Sequence, residues 1–227
     1  MSPLNKKLSF IDGRLAGYAT LAGAALAAPA LPSADATIIW SGPVAINIPS
    51  TTAGIYLNVV TGVFNTVPAS VPGWDVNPFS ATSLSFFNPT APAGGVYVVN
   101  TPGGTSATAP DNLPFGTLIS SLSGFGSGAI ETTGPLAAQL NSSNNLIGFR
   151  FVDATLNGGA VAYGWMRISL GATTGAQPRA IVEYAYENTQ GLGIAAGAIP
   201  EPSTMALFGV MAAGALGVRE WRKRKAQ

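Results

Sequence analysis

The sequence predicts an all-β body, a jelly-roll-like β-sandwich over residues 37–198, with an apolar helix expected at each end of the chain. Three observations predict the body. Its apolar residues fall in short runs of period two, the spacing that turns one face of a strand to a core and the other to solvent. Clusters of Gly, Pro, Asn, Ser and Thr interrupt those runs at short intervals, and no stretch of helical period competes with them between 37 and 197. Gly (28) and Pro (17) make about a fifth of the 227 residues, enough for frequent turns and below the share at which disorder becomes the expectation.

In chain order, 44–48 (VAINI) alternates, 54–60 (GIYLNVV) is an apolar strand run, and 83–87 (SLSFF) and 95–99 (GVYVV) continue the series. The segments 48–52, 67–73, 88–94 and 101–104 supply the prolines and glycines of the intervening turns. The last third is the clearest part. Runs 146–152, 161–170 and 179–186 read as three strands joined by Asn157-Gly158-Gly159 and by the turn 171–175, an antiparallel meander. Pairing across the second turn sums to about 350, so Arg167 is expected to face Glu183, a cross-strand ion pair contributing a few tenths of a kcal/mol to about 1. Arg150, on the neighbouring strand, is expected to be able to join them.

Charge is sparse and unevenly placed. Only 9% of residues are charged, against roughly 25% in an ordinary soluble domain. Twelve of the charges sit in 1–36 and 200–227, leaving three arginines and six carboxylates in 37–199. This mildly acidic middle excludes a basic nucleic-acid-binding face. With no His and no Cys, the chain has no Ser-His-Asp or Cys-His nucleophile, no imidazole or thiolate metal site and no disulfide.

At the N-terminus Lys6, Lys7 and Arg14 precede fourteen uncharged, mostly apolar residues, 15–28. A positive head before an apolar run too short for a comfortable span is the layout of a secretory signal peptide, here 1–36. Ala34-Asp35-Ala36 gives signal peptidase its small-x-small site, with Thr37 as the new N-terminus; Ala25-Leu26-Ala27 is an earlier alternative inside the apolar run. At the other end, 199–227 contains Pro200-Glu201-Pro202, fifteen uncharged residues 204–218, and then Arg219, Arg222, Lys223, Arg224 and Lys225. The prolines keep their segment extended and accessible. The apolar run makes a helix of about 22 Å, which spans a bilayer if the basic cluster snorkels, with that cluster on the cytoplasmic side.

These three parts in this order resemble the PEP-CTERM sorting signal of Gram-negative bacteria. The resemblance implies recognition by an inner-membrane exosortase, cleavage near Pro200, Glu201 and Pro202, and outward passage of the body. Tyr163-Gly164-Trp165-Met166-Arg167, Tyr184-Ala185-Tyr186-Glu187, 54–62 and 73–78 also resemble, more weakly, a sandwich body that recurs in such exported proteins and has no settled activity.

Two clusters in the body are weighed for chemistry. Asp153, Glu183 and Glu187 suit the acid and base of a glycosidase, but no spacing selects two of them, and a solvent-facing ion-pair ladder is the simpler reading. Trp74 and Asp75 are the candidate glycan contacts; Asp75 beside Asn77 is a poor calcium cage, and a turn bonded to backbone suits the pair better. Trp40, Trp74 and Trp165 either stack sugars or fill a core, and their strand context favours the core. The glycine loops 124–128 and 191–193 lack the strand-to-helix context and the Lys of a phosphate cradle.

The expectation is a non-enzymatic structural or interaction protein with no cofactor and no metal. Its partners are the secretion machinery, signal peptidase, exosortase and the inner membrane, with no nucleic acid. Its body is periplasmic while the tail anchors it, and then lies at the cell surface or in the extracellular matrix. The alternative is a lectin-like module that binds exopolysaccharide.

Overall fold

The computed structural model describes residues 37–87, 96–98 and 109–200. The expected terminal helices and the turns 88–94 and 101–104 lie outside the described residues, among which no helix is long and apolar enough to cross a membrane. The described chain is all-β: fourteen strands and two single-turn 3-10 helices, Pro68–Ser70 and Asn157–Gly159.

The principal sheet is antiparallel. Its centre is the meander β11 (Ser142–Val152), β12 (Val161–Leu170) and β13 (Ala180–Glu187), whose Val, Ile, Phe, Tyr and Trp content suits a pleated surface buried on both faces. Beside β11 lie β7 (Val96–Val98) and β9 (Phe125–Gly126), while β1 (Ile38–Trp40) and β2 (Ile46–Asn47) share the free edge of β13. A second sheet contains β5 (Asn77–Phe79), β6 (Ser85–Phe87) and β10 (Gly128–Ala129); two ribbons pair β3 (Tyr56–Leu57) with β4 (Phe64–Asn65), and β8 (Leu118–Ile119) with β14 (Ile194–Ala195).

Alternation along the meander separates two cores. Ile147, Phe149, Phe151, Met166, Ile168, Tyr184 and Tyr186 turn to one face and meet Leu57, Val76, Leu84 and Phe86 from the smaller sheets. Tyr163, Trp165 and Ala185 turn to the other and meet Leu113, Ile119 and Ile194. Gly164 is required at the crossing point, because a Cβ there would lie 2.5 Å from Phe149 Cζ and 2.7 Å from the Ala185 carbonyl oxygen.

A buried cation ties the loops of the first core to the sheet. Arg179, at the start of β13, is fully buried, and its guanidinium donates from Nε to Ile48, from Nη1 to Ser83 and Thr174, and from Nη2 to Pro49 and Ser80, all carbonyl oxygens. Those are all five donors of the group. The carbonyls come from three separate loops, so one side chain fixes where each of them meets the sheet.

Candidate functional site

The second face of the principal sheet holds both ends of the described body. The β8–β14 ribbon lies over it, Ile119 and Ile194 inward, with Ala196 N–H donating to Thr117 O and Gly116 N–H to Ala196 O. After the ribbon, Gly197 takes φ +81° with Phe115 packed against it; a Cβ there would sit 2.5 Å from Phe115 Cδ2. The next carbonyl, Ala198 O, accepts the indole N–H of fully buried Trp165 at 2.9 Å. Ile199 and Pro200 then emerge exposed, so the first residue of the expected Pro-Glu-Pro stands two positions beyond this clasp.

The N-terminal end of the body is fixed by Glu187, only 1% exposed at the end of β13. Its Oε1 accepts the backbone N–H of Thr37 at 2.9 Å and that of Thr189 at 2.8 Å. Asn188 N–H bonds Thr37 O, and Ile38 stands opposite Glu187 in the β1–β13 ladder, so the Thr37 nitrogen is held by its own strand. Of the expected processing residues, Thr37 and Pro200 are described; Ala34, Ala36, Glu201, Pro202 and the basic cluster Arg219, Arg222, Lys223, Arg224 and Lys225 lie outside the described residues.

The weighed carboxylates have separate partners. Glu183 faces Arg167 in the register read from the sequence, with Arg167 Nε donating to Glu183 Oε1 at 2.6 Å and Trp40 Nε1 donating to Glu183 Oε2 at 2.9 Å. Arg150 does not join them: it stands opposite Tyr163 and lays its guanidinium 4.5 Å from the Phe125 ring centroid. Asp153 accepts from the Thr155 hydroxyl and amide in the β11–β12 turn, and at 3.4 Å from Asn58 Nδ2. Burial pushes the Asp153 carboxyl up, but the bonds from Thr155 and Asn58 outweigh it and hold the group below its usual value. The tryptophans divide as well: Trp165 is core, Trp74 is half-buried, and Trp40, expected inside, is 36% exposed because it sits on an edge strand.

Trp74 and Asp75 point different ways. Trp74 lines a surface cleft of about 270 Å³ with Tyr56, Phe79, Phe87 and Asn77. Its ring meets Tyr56 edge-on, centroids 4.9 Å apart at 72°, and Phe87 at 6.2 Å and 37°, so the aromatics form an angled pocket and not a flat platform. Asp75 is buried, and its Oδ2 accepts the Val59 N–H at 2.8 Å. Burial is the main cause that lifts its carboxyl to about 7, against the Val59 bond and with help from the nearby Asp153 charge. Asn77 likewise donates to backbone, at Ala53 O and Ile55 O. The backbone-bonded reading of this pair therefore holds, although the backbone belongs to the preceding segment and not to the pair's own turn. Among the described residues no group of three carboxylates is placed to hold a metal ion.

The Glu187–Thr37 and Trp165–Ala198 contacts were not among the sites read from the sequence. They join residues 150 and 33 positions apart, and the one available signal is that one partner of each, Thr37 and Ala198, sits next to an expected processing point. No curated protein and no solved structure matches the chain. Residues 198–225, beginning at the residue clasped by Trp165, match the family model described as the PEP-CTERM protein-sorting motif; the chain carries that signal, which implies an exported protein processed by exosortase.

Proposed function

We propose that the chain is a non-enzymatic structural or interaction protein of the cell surface or extracellular matrix, with a jelly-roll-like sandwich body delivered by two removable ends. A signal peptide over 1–36 takes it across the inner membrane. The apolar run 204–218, with its basic cluster inside, holds it there until exosortase acts near Pro200-Glu201-Pro202. The supporting observation is the exposure of Ile199 and Pro200 directly after the Ala198 clasp, which brings the first residue of the motif out at the surface of a folded body. Deleting 200–227 tests the anchor: the body should move from the membrane fraction to the periplasm or medium, and unchanged membrane retention would refute it.

The surface around the clasp suits this tethered stage. Phe115, Leu118, Leu122, Leu192 and Ile199 are all exposed, Leu122 to 95%, and no charged residue occurs in 112–130 or 188–200. From Pro200 to the start of the apolar run at Thr204 is at most about 14 Å of chain. This face therefore rests on the bilayer while the tail is inserted. A single cysteine at Leu122 of the otherwise cysteine-free chain, labelled with a fluorophore, should be quenched by brominated lipid in vesicles; equal quenching of a label at Val67 would sink the idea.

A second reading is favoured by the Trp74 cleft, whose angled aromatic walls fit one edge of a sugar ring. It makes the body a lectin-like module of the exopolysaccharide matrix. A glycan array probed with the exported protein should give a hit that Trp74→Ala removes; silence across the array leaves the structural reading.

A further inference from the structure

We propose that removal of the leader creates an ion pair in the body: the new α-ammonium of Thr37 seats on the buried Glu187 carboxylate and locks the first strand. The proposal rests on the reading of 1–36 as a signal peptide. Hydrolysis adds water across the Ala36–Thr37 peptide bond. The leader departs with Ala36 as a carboxylate, and the Thr37 nitrogen, having lost its acyl group, takes up protons to become an ammonium.

The geometry is in place before cleavage. The nitrogen that becomes charged is the atom already 2.9 Å from Glu187 Oε1, and the β1–β13 ladder and the Asn188 bond to Thr37 O keep it there. In the uncleaved chain Glu187 receives neutral amide donors, from Thr37 and Thr189. A buried carboxylate without a cation is costly, and an ammonium adds to the hydrogen bond a direct attraction between opposite charges that a neutral amide does not supply.

The supply of cations makes the assignment specific. Between 37 and 199 the chain has three basic side chains, Arg150, Arg167 and Arg179. Arg150 lies over Phe125, Arg167 is paired with Glu183, and Arg179 gives its donors to backbone carbonyls. Among the described residues none forms an ion pair with Glu187. Once the leader has gone, the remaining positive charge of the body is its own N-terminus, which begins at the one buried carboxylate that ends β13.

The test uses the full chain exported with its own leader in a Gram-negative host. Mass spectrometry of the exported protein should find Thr37 at the N-terminus; a different first residue overturns the proposal through the leader reading. An alanine inserted between Ala36 and Thr37 leaves the cleaved chain one residue longer and moves the ammonium off Glu187. It should lower the unfolding equilibrium's preference for the folded state about tenfold, and within twofold of nothing when Glu187→Gln is also present. An equal penalty in both backgrounds means the insertion only disturbs packing, and overturns the ion pair with the leader reading intact. Should Glu187→Gln not accumulate, acylation of the α-amine decides: it should be at least fivefold slower in the wild type than in the insertion variant, and equal rates refute the proposal.

Discussion

On one face of the principal sheet Phe149, Phe151, Met166 and Ile168 meet the small sheets, and Arg179 ties the surrounding loops down. On the other, Tyr163 and Trp165 meet a two-residue ribbon, and the two ends of the body are pinned within a few residues of the processing points expected from the sequence. The first face carries the larger apolar core, and the second adds a few directed hydrogen bonds to a smaller one. The comparison teaches that one sheet can hold its larger core on one side and both ends of the body on the other, so that a change at the chain ends need not reach the main core.

The largest test of that division is Arg179→Met. Ile48 O keeps the Gln177 side-chain amide as a donor, but the Ser83, Thr174, Pro49 and Ser80 carbonyls lose theirs; at about 1–3 kcal/mol for each unsatisfied group, a loss of about 4 kcal/mol or more is expected in denaturant unfolding. A loss under 1 kcal/mol would show that the loops hold themselves.

Next comes pH, again on the first face. The Asp75 carboxyl is lifted to about 7 in the folded body from an ordinary 3.8, so the folded state holds the proton more tightly than the unfolded chain. Its contribution is complete below about pH 4 and is lost as pH rises towards 7. The body should be more stable at pH 5 than at pH 8 by about 2–3 kcal/mol, and Asp75→Asn should flatten that slope. Asp153, held below its usual value, works the other way and loses its contribution only as pH falls below about 4.

On the second face effects should be smaller and local. Trp165→Phe removes the bond to Ala198 and should cost about 1–2 kcal/mol globally, while amide exchange at 195–198 rises far more than in β11. Comparable acceleration in both places would erase the distinction between the faces. Glu183→Gln should cost about 0.5 kcal/mol, less at high salt, because the Arg167 pair is partly solvated.

Much of this was legible in the sequence where the contacts are local. The meander followed from period-two runs and short turns, and the Arg167–Glu183 register from counting across one turn. The sorting signal was legible because its three parts are consecutive. The short strands β2, β3 and β6 were read as longer runs, and β4 and β5 were not read as strands, since a strand ends where its partner does, and partners lie far along the chain. Arg179 read as an ordinary charge at a strand start; its meaning depends on loops at 48–50 and 80–83 that approach only after folding. Trp40 was misplaced because alternation tells which side a residue faces and not whether anything covers that side. Arg150 was read as able to join the ion pair because it lies on the neighbouring strand, whereas its guanidinium lies over the Phe125 ring.

The Ala198 clasp has a mechanical consequence. A pull on the C-terminal end of the body enters the fold at Pro200 and meets the Trp165 bond first. The ribbon behind it is two residue pairs long and would peel one bond at a time, like a zip, at low force. The long strands carry no load until the chain is drawn out as far as Glu187. The described residues after Glu187 are thus expected to yield to such a pull before the main sheet does.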